Sequence, residues 1–329
     1  MALMNNRNIG LLKFGLCLGF GISLVMMPIF ASSYFQGILT RFLIFTIFAV
    51  GYNIIFGYTG LSSLGHAAFF GASGYAVAVL KLHYGIDLVW VGVPLGIVVA
   101  GIVSIIFGFI SLRVSGIYFL LVTFALGQLL FSVAWNVKWL NSPGMQGIAG
   151  LSLPSLGVFG YRFNAISFYY FVFALCIVCI FVMKKILTSP FGIALIGIKK
   201  GEEKMESLGF NTWVYKYVAF IISGLFSGVA GSLFAYYNYM ISPSHLGVET
   251  SFLPMCMAII GGSGTLLGPA VGAGLIVFVE HFASIVMPER WPLILGGIFV
   301  VAIMFAREGI GVYIWKIIAK GYTHGSSSG

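Results

Sequence analysis

The chain has 329 residues, of which 60% are hydrophobic and 8% charged, against about 25% charged in an ordinary soluble domain. No water-soluble fold covers that much apolar surface, so the composition excludes one and requires a polytopic membrane protein with elements sized by bilayer thickness. The net charge of +9 does not point to nucleic acid, because the basic residues cap apolar runs and no aromatic-interleaved basic patch exists.

In chain order, Arg7 and Lys13 precede an apolar run ending near Ala31 and Ser32. The outline is that of a signal peptide, but the run is read as a retained first span. A spanning helix needs about 20 mostly apolar residues. Such runs fall at 11–31, 37–56, 61–80, 88–111, 116–135, 165–183, 215–237, 251–266, 268–287 and 291–306. The eighth is short enough to be re-entrant. The fold expected is all-α and polytopic, with about ten spans and broken helices. Residues 1–320 form a single domain, and 321–329 a flexible tail.

Loop charge orients the spans. With both termini cytoplasmic, Arg7, Lys13, Arg113, six lysines of one interior loop, Arg307, Lys316 and Lys320 lie inside. Arg41, Lys81, Lys138, Arg162 and Arg290 lie outside, so the larger group is cytoplasmic, as the positive-inside rule asks.

Two stretches share a theme, Gly57–Leu80 and Gly261–Glu280. Each opens on closely spaced glycines, passes through small polar residues and continues as an apolar helix. Helices broken in this way line polar cavities or bury their freed backbone in protein. Close helix packing by small residues is the alternative. The breaks make Gly60, Ser62, Ser63, His66, Gly261, Gly262, Ser263 and Gly264 candidates for a translocation path. His66 is an ionisable group inside a span, and hydrogen bonding to freed carbonyls is the favoured reading of it.

The loop from Asn136 to Asn164 is long and rich in Gly, Ser and Pro, a length usual for functional loops. It reads as a surface for an extracytoplasmic partner or as an interfacial connector seated by Trp135, Trp139 and Tyr161. Cys17, Cys176, Cys179 and Cys256 all lie in apolar runs, where free cysteine behaves as a small hydrophobe. Cys176 and Cys179 are spaced CxxC, but with no second pair or nearby His they do not read as a zinc or redox site.

Lys184–Lys216 is the one long segment where charge outweighs apolar surface, with six of the seventeen Lys and Arg and three of the eight acids. Within it GEEKMESLG reads as a short helix: Glu202 and Glu203 oppose the positive dipole end, and Gly209 suits a left-handed exit. Ile198, Met205 and Leu208 would share a face if that helix began earlier, but Gly201 predicts a break. The segment is either a solvated linker or a surface offered to a partner in water.

Catalytic motifs are missing. There is no GxxxxGK[ST] phosphate loop, HExxH or GxSxG, so neither a catalytic residue nor a cofactor or metal site is assigned, and ATP would have to bind another chain. Most acids lie in loops or at ends, which disfavours an ion-coupled carrier needing a buried carboxylate.

The run SPFGIALIGIKKGEEKMESLGFNTWVYKYVAFIISGLFSGVAGSLFAYY resembles the cytoplasmic loop and following helix of LivM-type permeases, subunits of branched-chain amino acid ABC importers. It departs from the family at Ile196–Lys200, where an Ala-Ile-Arg-type segment is usual. GLSSLGHAAFFGASGYAVA, RVSGIYFLLVTFALGQLLF and SPSHLGVETSFLPMCMAIIGGSGTLLGPAVGA are similar to further family segments, so the likeness covers most of the chain from Gly57 to Glu280. The resemblance implies that Glu202, Glu203, Ser207 and Gly209 form the ATPase-coupling site. It implies a LivH-like second permease, two ATPases and an extracytoplasmic solute-binding protein, in the cytoplasmic (inner) membrane of a prokaryote. Its implied substrates are Leu, Ile, Val or related amino acids, while related permeases carry urea, short amides or aromatic acids. Ion-coupled secondary transport and passive channel activity stand as alternatives.

Overall fold

A computed structural model of the chain describes residues 25–28, 32–137, 147–156 and 162–286, with positions 296, 297, 300 and 304. The spans expected at 11–31 and 291–306 therefore lie almost wholly outside the described residues. The tail, Cys17, Trp139, Tyr161, Arg7, Lys13, Lys138, Arg290, Arg307, Lys316 and Lys320 lie outside them too.

The fold is built around two helices. The first is α1 (Ser33–Asn53), continued without interruption by a π-helical turn, Ile54–Thr59. From Phe42 to Asn53 it is almost wholly apolar and buried on all sides, the expected state of such a helix. The second, α8 (Thr212–Asn238), packs against α1 and against α2 (His66–Tyr84) and α3 (Val89–Ser111). Small residues permit the close approach: a Cβ on Gly228 would strike that of Ala100, and one on Gly231 would strike the Phe70 carbonyl.

Around this pair stand α4 (Ile117–Asn136), α5 (Ala165–Thr188), α9 (Val248–Gly261) and α10 (Gly268–Val286). Between α5 and α8 run two short helices, α6 (Pro190–Lys200) and α7 (Glu202–Ser207). Cys176, Cys179 and Cys256 are free and buried among apolar neighbours.

Six described helices are long and apolar enough to cross a membrane: Ser33–Thr59, Val89–Ser111, Ile117–Asn136, Ala165–Thr188, Thr212–Asn238 and Gly268–Ile285. They coincide with the second, fourth, fifth, sixth, seventh and ninth predicted spans. The third begins at His66 rather than 61, because residues 60–65 leave the helix. The eighth predicted span is α9, whose 14 residues extend about 21 Å, short of a hydrocarbon core of about 30 Å.

At the far end of α8 from α7, β2 (Met240–Ile241) pairs antiparallel with β1 (Ile148–Ala149) of the 136–164 loop. That loop is tied to the α2–α3 connection. Ser152 accepts from Lys81 and donates to Asp87, and Ser155 N–H donates to the Asp87 carbonyl at 2.7 Å. With 27 residues, α8 is about 40 Å long, so the charged segment and the Gly-rich loop sit at opposite ends of one membrane-length helix.

Candidate functional site

The charged segment folds as two helices meeting at a hinge. Pro190 opens α6 at a position that lacks a helical hydrogen bond anyway, and Lys199 and Lys200 close it, favourable at the negative end of the helix. Gly201 interrupts the chain, and Glu202 and Glu203 begin α7. The exit is left-handed at Gly209 (φ 87°). There Gly209 N–H donates to Glu206 O at 2.9 Å and Phe210 N–H to Met205 O at 3.1 Å, the paired bonds of a Schellman close. The break at Gly201 splits the face that Ile198, Met205 and Leu208 would have shared: Ile198 is 3% exposed and Leu208 73%.

The two leading acids of α7 differ in their engagement. The Glu202 carboxylate accepts from Lys216 Nζ and lies 3.0 Å from Thr212 Oγ1, both on α8. Thr212 also reaches Glu206 at 2.6 Å. Glu203 and Ser207 face outward and exposed, with Ser207 Oγ donating back to the Glu203 carbonyl at 2.8 Å.

The first helix break follows the π-helical turn. Gly60 takes a left-handed φ of 80°, and the chain from Gly60 to Ala67 is served by side chains of α1, α4 and α9. Tyr52 OH donates to Ser63 O (3.1 Å) and accepts from Ser63 N–H (3.3 Å). Thr123 of α4 accepts from Leu64 N–H, and Ser251 of α9 from Ala67 N–H. His66 is fully buried. Its Nε2 lies 2.8 Å from Ser223 Oγ, which itself donates to Gly51 O at 2.7 Å, and its Nδ1 lies 3.0 Å from Ser63 Oγ. Ser223 has spent its proton on Gly51, so it accepts from Nε2–H, and Nδ1 accepts from Ser63. Ser63 and His66 are thus satisfied inside the protein, whereas Gly60 is exposed and Ser62 half-buried.

The second break joins α9 to α10. Gly261 and Gly262 are buried, Ser263 exposed and Gly264 half-buried, with Gly262 and Gly264 at φ 112° and 79°. Thr265 Oγ1 donates to Gly262 O and accepts from Gly268 N–H, opening α10.

The two breaks meet. Asn53, the last residue of α1, donates through Nδ2 to Thr265 O at 2.8 Å and accepts from Gly264 N–H at 3.1 Å. A side chain on Gly57 would collide with Asn53 Oδ1 and the Gly264 amide, so only glycine lets the two backbones touch. Lys199 of α6 donates to Gly57 O at 2.7 Å. The charged hinge and both glycine-rich stretches therefore form one contiguous site. Sequence reasoning named the glycines and missed Asn53, Lys199, Thr265 and Ser223. An amide inside an apolar run was the one signal available for Asn53.

Residues 34–306 match the family described as branched-chain amino acid transport system / permease component. The chain belongs to that permease family. It is 27% identical over 308 residues to the high-affinity branched-chain amino acid transport system permease protein LivM of Salmonella typhimurium, covering 87% of this chain and 72% of the relative. LivM of Escherichia coli gives the same identity and coverage. LivH of Escherichia coli is 22% identical over 253 residues, covering 73% of this chain and 82% of the relative. No solved structure matches. For this permease component, the match spans every described helix that forms the site.

Proposed function

We propose that this permease component is one of two homologous membrane subunits of an ATP-driven importer for branched-chain or related amino acids, in the cytoplasmic membrane of a prokaryote. The complex carries two ATPases, one of which docks on the α6–α7 hinge of this chain, and an extracytoplasmic solute-binding protein delivers substrate at the end carrying the 136–164 loop. The chain spans the bilayer about ten times with both termini in the cytoplasm. The names of the relatives support the substrate class, and the likeness to both LivM and LivH supports a paired permease.

The observation that carries this reading is the α6–α7 hinge. Its inner side is anchored on the helix breaks through Lys199 and on α8 through Glu202, while Glu203, Ser207 and Leu208 remain exposed at its tip. A segment so anchored and so presented can transmit a push from a partner in water. Gly209 sets the turn that presents it. Gly60, Ser62, Ser63, His66 and Gly261–Gly264 form the borders of the path, with Ser63 and His66 supporting it from behind. ATP must favour one arrangement of these breaks, since equal affinity for both states shifts nothing.

An ion-coupled mechanism asks for a carboxylate able to take up the ion inside a span. Glu280 is the acid found within a described membrane-length helix, and Arg41 already holds it at 2.6 Å. The test is uptake by the reconstituted complex with a panel of labelled amino acids, urea and short amides. Uptake of branched-chain amino acids that requires ATP and the ATPases is expected, and uptake that persists without the ATPases overturns the reading.

A further inference from the structure

We infer that Lys199 is the positioning residue that carries displacement of the α6–α7 hinge into the paired helix breaks, by capping the π-helical turn; this rests on the coupling role proposed for the hinge. The turn ends at Thr59, so its last carbonyls have no following helical N–H to accept. The same end carries the negative pole of the long α1 unit, where a cation is favoured. The Lys199 ammonium meets one of these carbonyls, Gly57 O, from 142 positions away in the chain. Its stem lies across Gly60, where an added Cβ would sit 3.2 Å from Lys199 Cγ.

Gly57 is also the point where the two breaks touch. Its backbone adjoins the Gly264 amide, and Asn53, just before the turn, holds both Gly264 and Thr265. A pull on Lys199 thus acts on one carbonyl whose immediate neighbours are both breaks. A π-helical turn holds one more residue per hydrogen-bonded ring than an α-helix and is rare and short in proteins, frequently at functional sites. With one of its last carbonyls, Gly57 O, held by a removable charge, the turn is the bistable element. Hinge docked inward, Lys199 caps it; hinge displaced, the carbonyl loses its donor and Asn53 passes the change to the second break.

The test uses the whole transporter in proteoliposomes, this chain with its second permease, ATPases and binding protein. Labelled amino acid uptake and ATP hydrolysis stimulated by the binding protein are measured side by side. Lys199→Met is expected to lower uptake per ATP hydrolysed by at least roughly fivefold, with hydrolysis, assembly and melting temperature close to the parent. Lys199→Arg, a cation that still reaches the carbonyl, restores the ratio, and Lys200→Met, which removes a neighbouring charge, leaves it unchanged. An unchanged ratio in Lys199→Met overturns the inference. So does a parallel fall in uptake, hydrolysis and melting temperature, which marks a merely structural contact. A Glu203→Lys arm separates the two readings: uncoupling there with a normal Lys199→Met removes the role of Lys199 alone, and normal coupling in both removes the coupling role of the hinge.

Discussion

Glu202 and Lys216 are joined by an ion pair that fastens the start of α7 to α8, with the Lys216 side chain 10% and the Glu202 side chain 40% exposed. One of the two acids leading the short helix is therefore committed to its own chain. Its neighbour Glu203 is left on the surface.

Charge reversal at the two positions should accordingly give different phenotypes. Glu203→Lys is expected to leave the melting temperature unchanged and to reduce ATP-coupled uptake. Glu202→Lys should destabilise the hinge by about 1 kcal/mol, the upper range for a partly exposed pair. The exchange Glu202→Lys with Lys216→Glu should recover most of that loss. Thermal melting of the purified complex, read beside uptake, separates the two.

Asn53 bridges the breaks with one donor and one acceptor, so its variants should be graded. Asn53→Asp keeps the acceptor for Gly264 N–H and loses the donor to Thr265 O, whereas Asn53→Ala loses both. Leaving these backbone groups unmet should cost about 1–3 kcal/mol for Ala, and Asp should cost at least as much, because its buried carboxylate faces the Thr265 carbonyl. Gly57→Ala should be worse than either, because its methyl overlaps Asn53 and the Gly264 backbone. Folded yield in detergent and melting temperature are the measurements.

His66 is bracketed by Ser63 and Ser223 in a fully buried setting. His66→Ala should lower stability by about 1–3 kcal/mol through the stranded hydroxyls, while the protein that folds keeps ATP-dependent uptake. His66→Asn, which offers a donor and an acceptor, should recover part of the stability. Uptake driven by an imposed ion gradient in the parent, and lost only in His66→Ala, would contradict this assignment.

His245 lies in the turn Pro243–Leu246 between α8 and α9, outside the spans, where its Nδ1 accepts from Ser242 N–H at 3.0 Å. Burial lowers its pKa from the ordinary histidine value. The neutral form is the one folded around, so its contribution is fully present above the unfolded value of about 6.5 and is lost as pH falls below it. Melting temperature should drop between pH 7.5 and pH 5, and His245→Gln should flatten that component of the profile.

Much of the architecture was legible along the chain because its causes are local. Twenty-residue apolar runs mark the spans, Gly201 ends α6, and Gly209 supplies the left-handed close of α7. In each case the deciding group lies within a few residues of the feature it controls. The same reading recognised 57–80 and 261–280 as broken helices, and could not say that they touch.

Local chemistry alone was enough for a lipid-embedded, all-helical body with one wet basic segment, since burial of apolar surface and backbone conformational limits act within a window of sequence. Tertiary structure alone decided that Lys199 meets Gly57, that Asn53 meets Gly264 and that His66 is enclosed by two serines. Those pairings join residues as far as 211 positions apart. They follow from how the end of α1 meets α6 and the α9–α10 break, and how α2 meets α8, which no window of sequence contains.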